Sequence, residues 1–84
     1  MTGKLARSLA GHDKGICYVI TGADEKYVYL ADGRLKSVAS PKKKSLKHIQ
    51  IINTTVDEAL LVKLGEQTKE ADLYIRKVLK ALHK

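Results

Sequence analysis

Apolar positions gather in two short runs near the middle of the first half, with a polar break between them. Ile16-Cys17-Tyr18-Val19-Ile20 and Lys26-Tyr27-Val28-Tyr29-Leu30 are rich in β-branched and aromatic residues, the side chains that suit a pleated, half-buried surface. Gly22-Ala23-Asp24-Glu25 between them reads as a turn, so the pair predicts a hairpin. Leu5 and Leu9 mark a short apolar segment before it. Gly11-His12-Asp13-Lys14-Gly15 then forms a turn whose glycines are free to take positive φ. Asp32-Gly33 is a tight-turn signal of type I′ character, and Leu35 to Val38 predicts a further short strand. Ser40-Pro41 and the lysines after it read as loop, because proline and the residue before it resist helix. Leu46 to Ile52 is placed to close the sheet, with Ile49, Ile51 and Ile52 as its apolar positions.

Past Asn53 the period changes. Thr55-Val56-Asp57-Glu58 is a capping-box pattern, a hydroxyl followed three residues later by a carboxylate, and it predicts a helix to about Leu64 with Gly65 at its exit. A second helix begins near Thr68. Ala71, Ile75, Val78, Leu79 and Leu82 fall on one of its faces at helical spacing, Tyr74 lies at the edge, and Arg76, Lys77 and Lys80 lie mostly on the others. Short strands followed by two helices make an α+β chain. The expected division is a strand-rich part over 1–53 and a C-terminal helical extension over 54–84, packed as a single compact domain.

At 84 residues there is room for one domain. With no Trp or Phe, and Tyr18, Tyr27, Tyr29 and Tyr74 as the aromatics, the core has to be aliphatic. Cys17 is the single cysteine, so an internal disulfide and a cysteine metal quartet are excluded, and its place in an apolar strand predicts a buried, inert thiol. The opening residues carry no long apolar run, which argues against a signal peptide or membrane anchor and for a cytoplasmic protein.

Charge changes the picture most. The formal net charge is +7, from sixteen Lys and Arg against nine Asp and Glu. Up to Asn53 there are ten basic residues and four acidic ones; beyond it there are six and five. Between Asp32 and Asp57 no acid occurs, while Arg34, Lys36, Lys42, Lys43, Lys44 and Lys47 do, with His48 beside them. Such a run repels itself until an anion neutralises it, which points to nucleic-acid phosphates. The plainer reading is a solvated basic loop.

Gly3-x-Leu5-x-x-Ser8-x-Ala10-Gly11-His12-Asp13-Lys14-Gly15, followed by Tyr18-Val19-Ile20, resembles the KOW motif of several ribosomal proteins and of NusG-type elongation factors. Val28-Tyr29-Leu30-Ala31-Asp32-Gly33-Arg34 and Pro41-Lys42-Lys43-Lys44-x-x-Lys47-His48 make it most similar to the archaeal and eukaryotic large-subunit ribosomal protein fourteen family and its short bacterial relatives. These stretches span most of 3–48. The resemblance implies that 1–53 is a KOW-type β-barrel, small and SH3-like, whose loops touch RNA. One contact would be the Gly11–Gly15 turn, where glycines admit a phosphate and Lys14 pairs with it. The other would be Pro41–His48. The family often has Arg where His12 stands, so a fixed cation is lost there, and the residues after Thr55 lie outside the motif. The expected RNA-binding set is Arg7, Gly11, His12, Lys14, Arg34, Lys36, Lys42, Lys43, Lys44, Lys47 and His48, with ribosomal RNA as the partner, ribosomal proteins as possible neighbours, and a monomer rather than a homodimer.

Other chemistries fit less well. His12-Asp13 are adjacent residues on a turn, a poor geometry for an acid–base dyad, so no enzyme is expected. His12, His48 and His83 match no metal-ligand spacing, and no cofactor is implied. The alternatives to RNA are a transcription-complex module and a protein-interaction module that uses the apolar stripe of the last helix.

Overall fold

The computed structural model describes residues 2–52, 62, 64–65 and 69–82. Five strands, β1 (Leu5–Ser8), β2 (Cys17–Ala23), β3 (Tyr27–Ala31), β4 (Lys42–Ser45) and β5 (Ile49–Ile52), form one antiparallel sheet in the order β4-β3-β2-β1-β5. A 3-10 turn, Leu46–His48, joins β4 to β5, and helix α1 (Lys69–Leu82) follows the sheet. The architecture is α+β with one C-terminal helix among the described residues, not two. The helix expected over 55–64 lies outside the described residues, apart from Val62 and Leu64.

The expected hairpin is β2–β3, paired through Val19↔Ala31 and Ile20↔Leu30, with a bulge between Ile20 and Gly22. Its turn is held by Asp24, whose Oδ1 accepts the amides of Lys26 and Tyr27 at 3.0 and 2.9 Å. Those two bonds hold the Asp24 carboxyl below its ordinary range.

Two expectations fail here. Lys42–Ser45, expected as loop, is an edge strand paired with β3. Lysines are common on such edges because they discourage pairing with another chain. Leu35–Val38 is not a strand: Asp32 Oδ1 accepts the amides of Arg34 and Lys36 at 2.8 and 3.0 Å and folds this stretch into a turn.

Alternation along the strands gives the sheet two apolar faces. Leu5, Cys17, Val19 and Ala31 meet Ala71, Ile75 and Leu79, the i, i+4, i+8 stripe of α1, together with Val38 and Leu64. Tyr74 and Val78 pack at the edge of this cluster. Ala6, Tyr18, Ile20, Val28, Leu30 and Ile49 form a second cluster on the other face, where Leu46 packs against them. Ile20, Val28 and Leu30 are fully buried there, each contributing about 1.5–3 kcal/mol. Among the described residues no helix packs on that face.

Connectivity bends the sheet. In a flat sheet the two outer strands of five would stand about 19 Å apart. A three-residue 3-10 turn advances about 6 Å. Because β4 and β5 are the outer strands and only Leu46–His48 separates them, the edges have to curl toward each other. The ladders join β4 to β3 and β5 to β1.

Helix α1 is fixed to the Asp32–Val38 turn. Gly33 has φ +79°, and a Cβ there would overlap the Asp72 carbonyl oxygen. The Val38 amide donates to Asp72 Oδ1 at 2.9 Å. Glu70 and Asp72 in the first turn and Lys80 in the last complement the helix dipole.

Candidate nucleic-acid interface

Beyond Ser8 the chain turns through Gly11 (φ +88°) and Gly15 (φ +90°), values that side-chain-bearing residues rarely adopt. The loop is closed by its own backbone: Gly15 N–H donates to Ser8 O at 2.8 Å and Ile16 N–H to Asp13 O at 2.9 Å. This geometry turns Asp13 inward, where it is 7% exposed.

Asp13 is the centre of a charged cluster. Its Oδ1 accepts from Ser8 Oγ at 2.7 Å and from Lys44 Nζ at 2.8 Å. Its Oδ2 accepts from Tyr18 OH at 2.9 Å and from Lys42 Nζ at 2.7 Å. Lys44 Nζ also donates to Ala10 O at 2.8 Å. The donors therefore come from β1, β2 and β4. Burial alone would raise the Asp13 carboxyl, but the bonds from Lys42, Lys44, Ser8 and Tyr18 outweigh it and hold the group far below the usual carboxylate range. Burial and the neighbouring Asp13 charge push the Tyr18 hydroxyl well above its ordinary value.

Strand periodicity sorts the lysines. Lys42 and Lys44 are two apart on β4, share a face and point at Asp13. Lys43 points the other way, with Nζ 4.2 Å from the centroid of the Tyr27 ring. Two ammonium groups against one carboxylate leave the cluster with a single positive charge.

The two segments expected to touch RNA are thus brought together. The Gly11–Gly15 turn is tied to β4 by Asp13, and the Leu46–His48 turn is tied to the end of β1 by Leu9 N–H donating to His48 O at 2.8 Å. Gly11, His12 and Lys14 are exposed on the loop, Lys43 on β4, Lys47 and His48 on the 3-10 turn, and Arg7 on β1 opposite Gln50 of β5. Lys36 is exposed on the Asp32–Lys36 turn. Arg34 is exposed too, but it lines a groove with Ile16 and α1. Lys42 and Lys44 are not free cations, because Asp13 binds both.

Sequence reasoning missed the role of Asp13. The available signal was one acid inside a basic turn, five residues from both Ser8 and Tyr18, with lysines alternating at 42 and 44. The adjacent histidine, His12, is exposed while Asp13 is buried, so the two side chains face different surroundings. Among the described residues no group of three or more His, Cys, Asp or Glu converges, and Cys17 is buried as a free thiol. No described helix is long and apolar enough to cross a membrane. Compared with known families and with curated proteins, the chain matches no family model and no curated sequence.

Proposed function

We propose that this chain is a non-enzymatic RNA-binding protein built on a KOW-type, SH3-like barrel, acting in the cytoplasm as a monomer on ribosomal RNA or on its assembly into ribosomes. The observation that carries this reading is the Asp13 cluster. It ties the Gly11–Gly15 turn to the lysines of the Pro41–His48 segment, the two segments that the resemblance implies touch RNA, and this supports the reading. The five-stranded antiparallel sheet in the order β4-β3-β2-β1-β5, with a three-residue turn between its two outer strands, is compatible with the SH3-like barrel that the resemblance implies.

Within this reading the lysines divide their work. Lys42 and Lys44 position the loop. Arg7, Lys14, Lys43 and Lys47, with His12 and His48, face solvent and meet the phosphates. Lysine binds phosphate as a point charge and reads bases poorly. Tyr18 is buried against Asp13 and Tyr27 already has Lys43 over its ring, so little platform remains for stacking bases. Recognition is of folded or double-stranded RNA, by shape and backbone. Electrostatic capture comes first, and docking of the loop follows.

Sedimentation of the tagged chain through a gradient of cell lysate, at low and high salt and with the bound RNA sequenced, tests the reading. Travel with large ribosomal subunits, released by salt, is the expected result. A chain that stays at the top with no RNA overturns it.

A further inference from the structure

A groove of about 880 Å³ runs between α1 and the end of the β1–β2 loop, apart from the Asp13 cluster. Its exposed surface is mostly apolar, and Ile16 and Leu73 are about half exposed in it, at 47% and 49%. Leaving such side chains half in water forgoes burial that a partner would supply. Among the described residues, Arg34, Arg76, Lys77 and Lys80 also line it, with Asp32 as the one carboxylate. That carboxylate already accepts the Arg34 and Lys36 amides. The Nε of Arg76 is buried with no hydrogen-bond partner among the described residues, a donor whose desolvation is uncompensated.

We propose that this groove docks an acidic, amphipathic segment of a partner protein. Charge complementarity and the apolar lining together choose the occupant. Apolar side chains of the segment cover Ile16 and Leu73, and its carboxylates meet Arg34, Lys77 and Lys80 and offer an acceptor toward Arg76. Nucleic acid fits less well. A phosphate backbone would satisfy the cations and leave Ile16 and Leu73 uncovered, and none of the described residues lining the groove is aromatic and able to stack a base. The site is built by α1 packing on Gly33 and by the Asp72–Val38 bond, so it exists before any partner arrives. The chain then has two faces with separate tasks, one for RNA and one for protein.

The test uses the full chain and a synthetic helical peptide with leucines on one face and glutamates on the others. Binding is read by anisotropy and by amide shifts. The expected result is binding that shifts Ile16, Leu73 and Arg76. Lys77→Glu with Lys80→Glu should weaken it at least about tenfold, since like charges across an interface cost several kcal/mol. Both lysines are exposed, and circular dichroism checks that the variant stays folded. Leu73→Ser should weaken it as well, and Lys47→Glu should leave it unchanged. Three outcomes overturn the proposal: no shift at the groove, an equal loss from Lys47→Glu, or a hairpin RNA displacing the peptide from the same residues. RNA affinity measured on the same variants separates this result from the fate of the RNA reading.

Discussion

Asp13 Oδ1 and Lys44 Nζ stand 2.8 Å apart across 31 positions of sequence. The lysine side chain is 10% exposed and the aspartate 9%, so neither ion has bulk water as a fallback. Lys42 makes the matching bond to Oδ2 with its side chain 30% exposed. The pair therefore decides whether the loop stays on the sheet edge.

Removing the carboxylate should be costly. Asp13→Ala leaves two ammonium groups facing each other and takes away the acceptor of the Tyr18 hydroxyl, while Ser8 Oγ keeps the Ala10 carbonyl at 3.0 Å. The expected loss is about 3 kcal/mol, the range for breaking one side of a buried ion pair. Lys44→Met should cost more than Lys42→Met, since Lys44 is the more buried. Urea unfolding of the three variants measures the order, and equal losses at 42 and 44 would contradict it.

The depressed carboxyl of Asp13 also fixes an acid limb. A group whose pKa falls on folding stabilises above its unfolded value, about 3.9 for aspartate, and that stability drains away as pH falls below it. Unfolding midpoints should drop steeply below about pH 4, and Asp13→Asn should flatten that limb while lowering stability near neutrality. Tyr18 has the opposite sign. Its raised pKa gives stability present below about pH 10 and lost as pH climbs beyond.

Two glycines with similar φ should respond differently to alanine. Gly15→Ala meets open space and suffers only the left-handed backbone, about 1–2 kcal/mol. Gly33→Ala has the same backbone strain and also drives a methyl into the Asp72 carbonyl and Arg76 Cγ of α1. Thermal unfolding should show the larger loss at Gly33, and it should loosen the groove between the turn and the helix.

What was legible in the sequence was local. The β2–β3 hairpin follows from two runs rich in β-branched and aromatic residues about a turn, the stripe Ala71, Ile75 and Leu79 from helical spacing, and both are present. Strand β4 was not legible, because Lys-Lys-Lys-Ser has no apolar alternation; its inward side chains are satisfied by an aspartate from a distant turn. Leu35 to Val38 misled for the reverse reason. Its composition suits a strand, but Asp32 takes the amides of Arg34 and Lys36, and only Val38 of that stretch is buried. For the candidate site, both segments were visible as motifs. Their union through Asp13, and the split of the lysines into positioning and exposed groups, depend on long-range contacts that no local pattern records.

The division among the lysines is tested most directly by the salt dependence of binding to a hairpin RNA, for the chain itself and for the triple variant Lys14→Ala, Lys43→Ala, Lys47→Ala. All three side chains are exposed, so the variant should keep its unfolding midpoint. The account predicts weaker binding and a log–log salt slope shallower by roughly 0.7–0.9 for each lysine removed. A folded triple variant that binds with unchanged affinity and unchanged slope would contradict it.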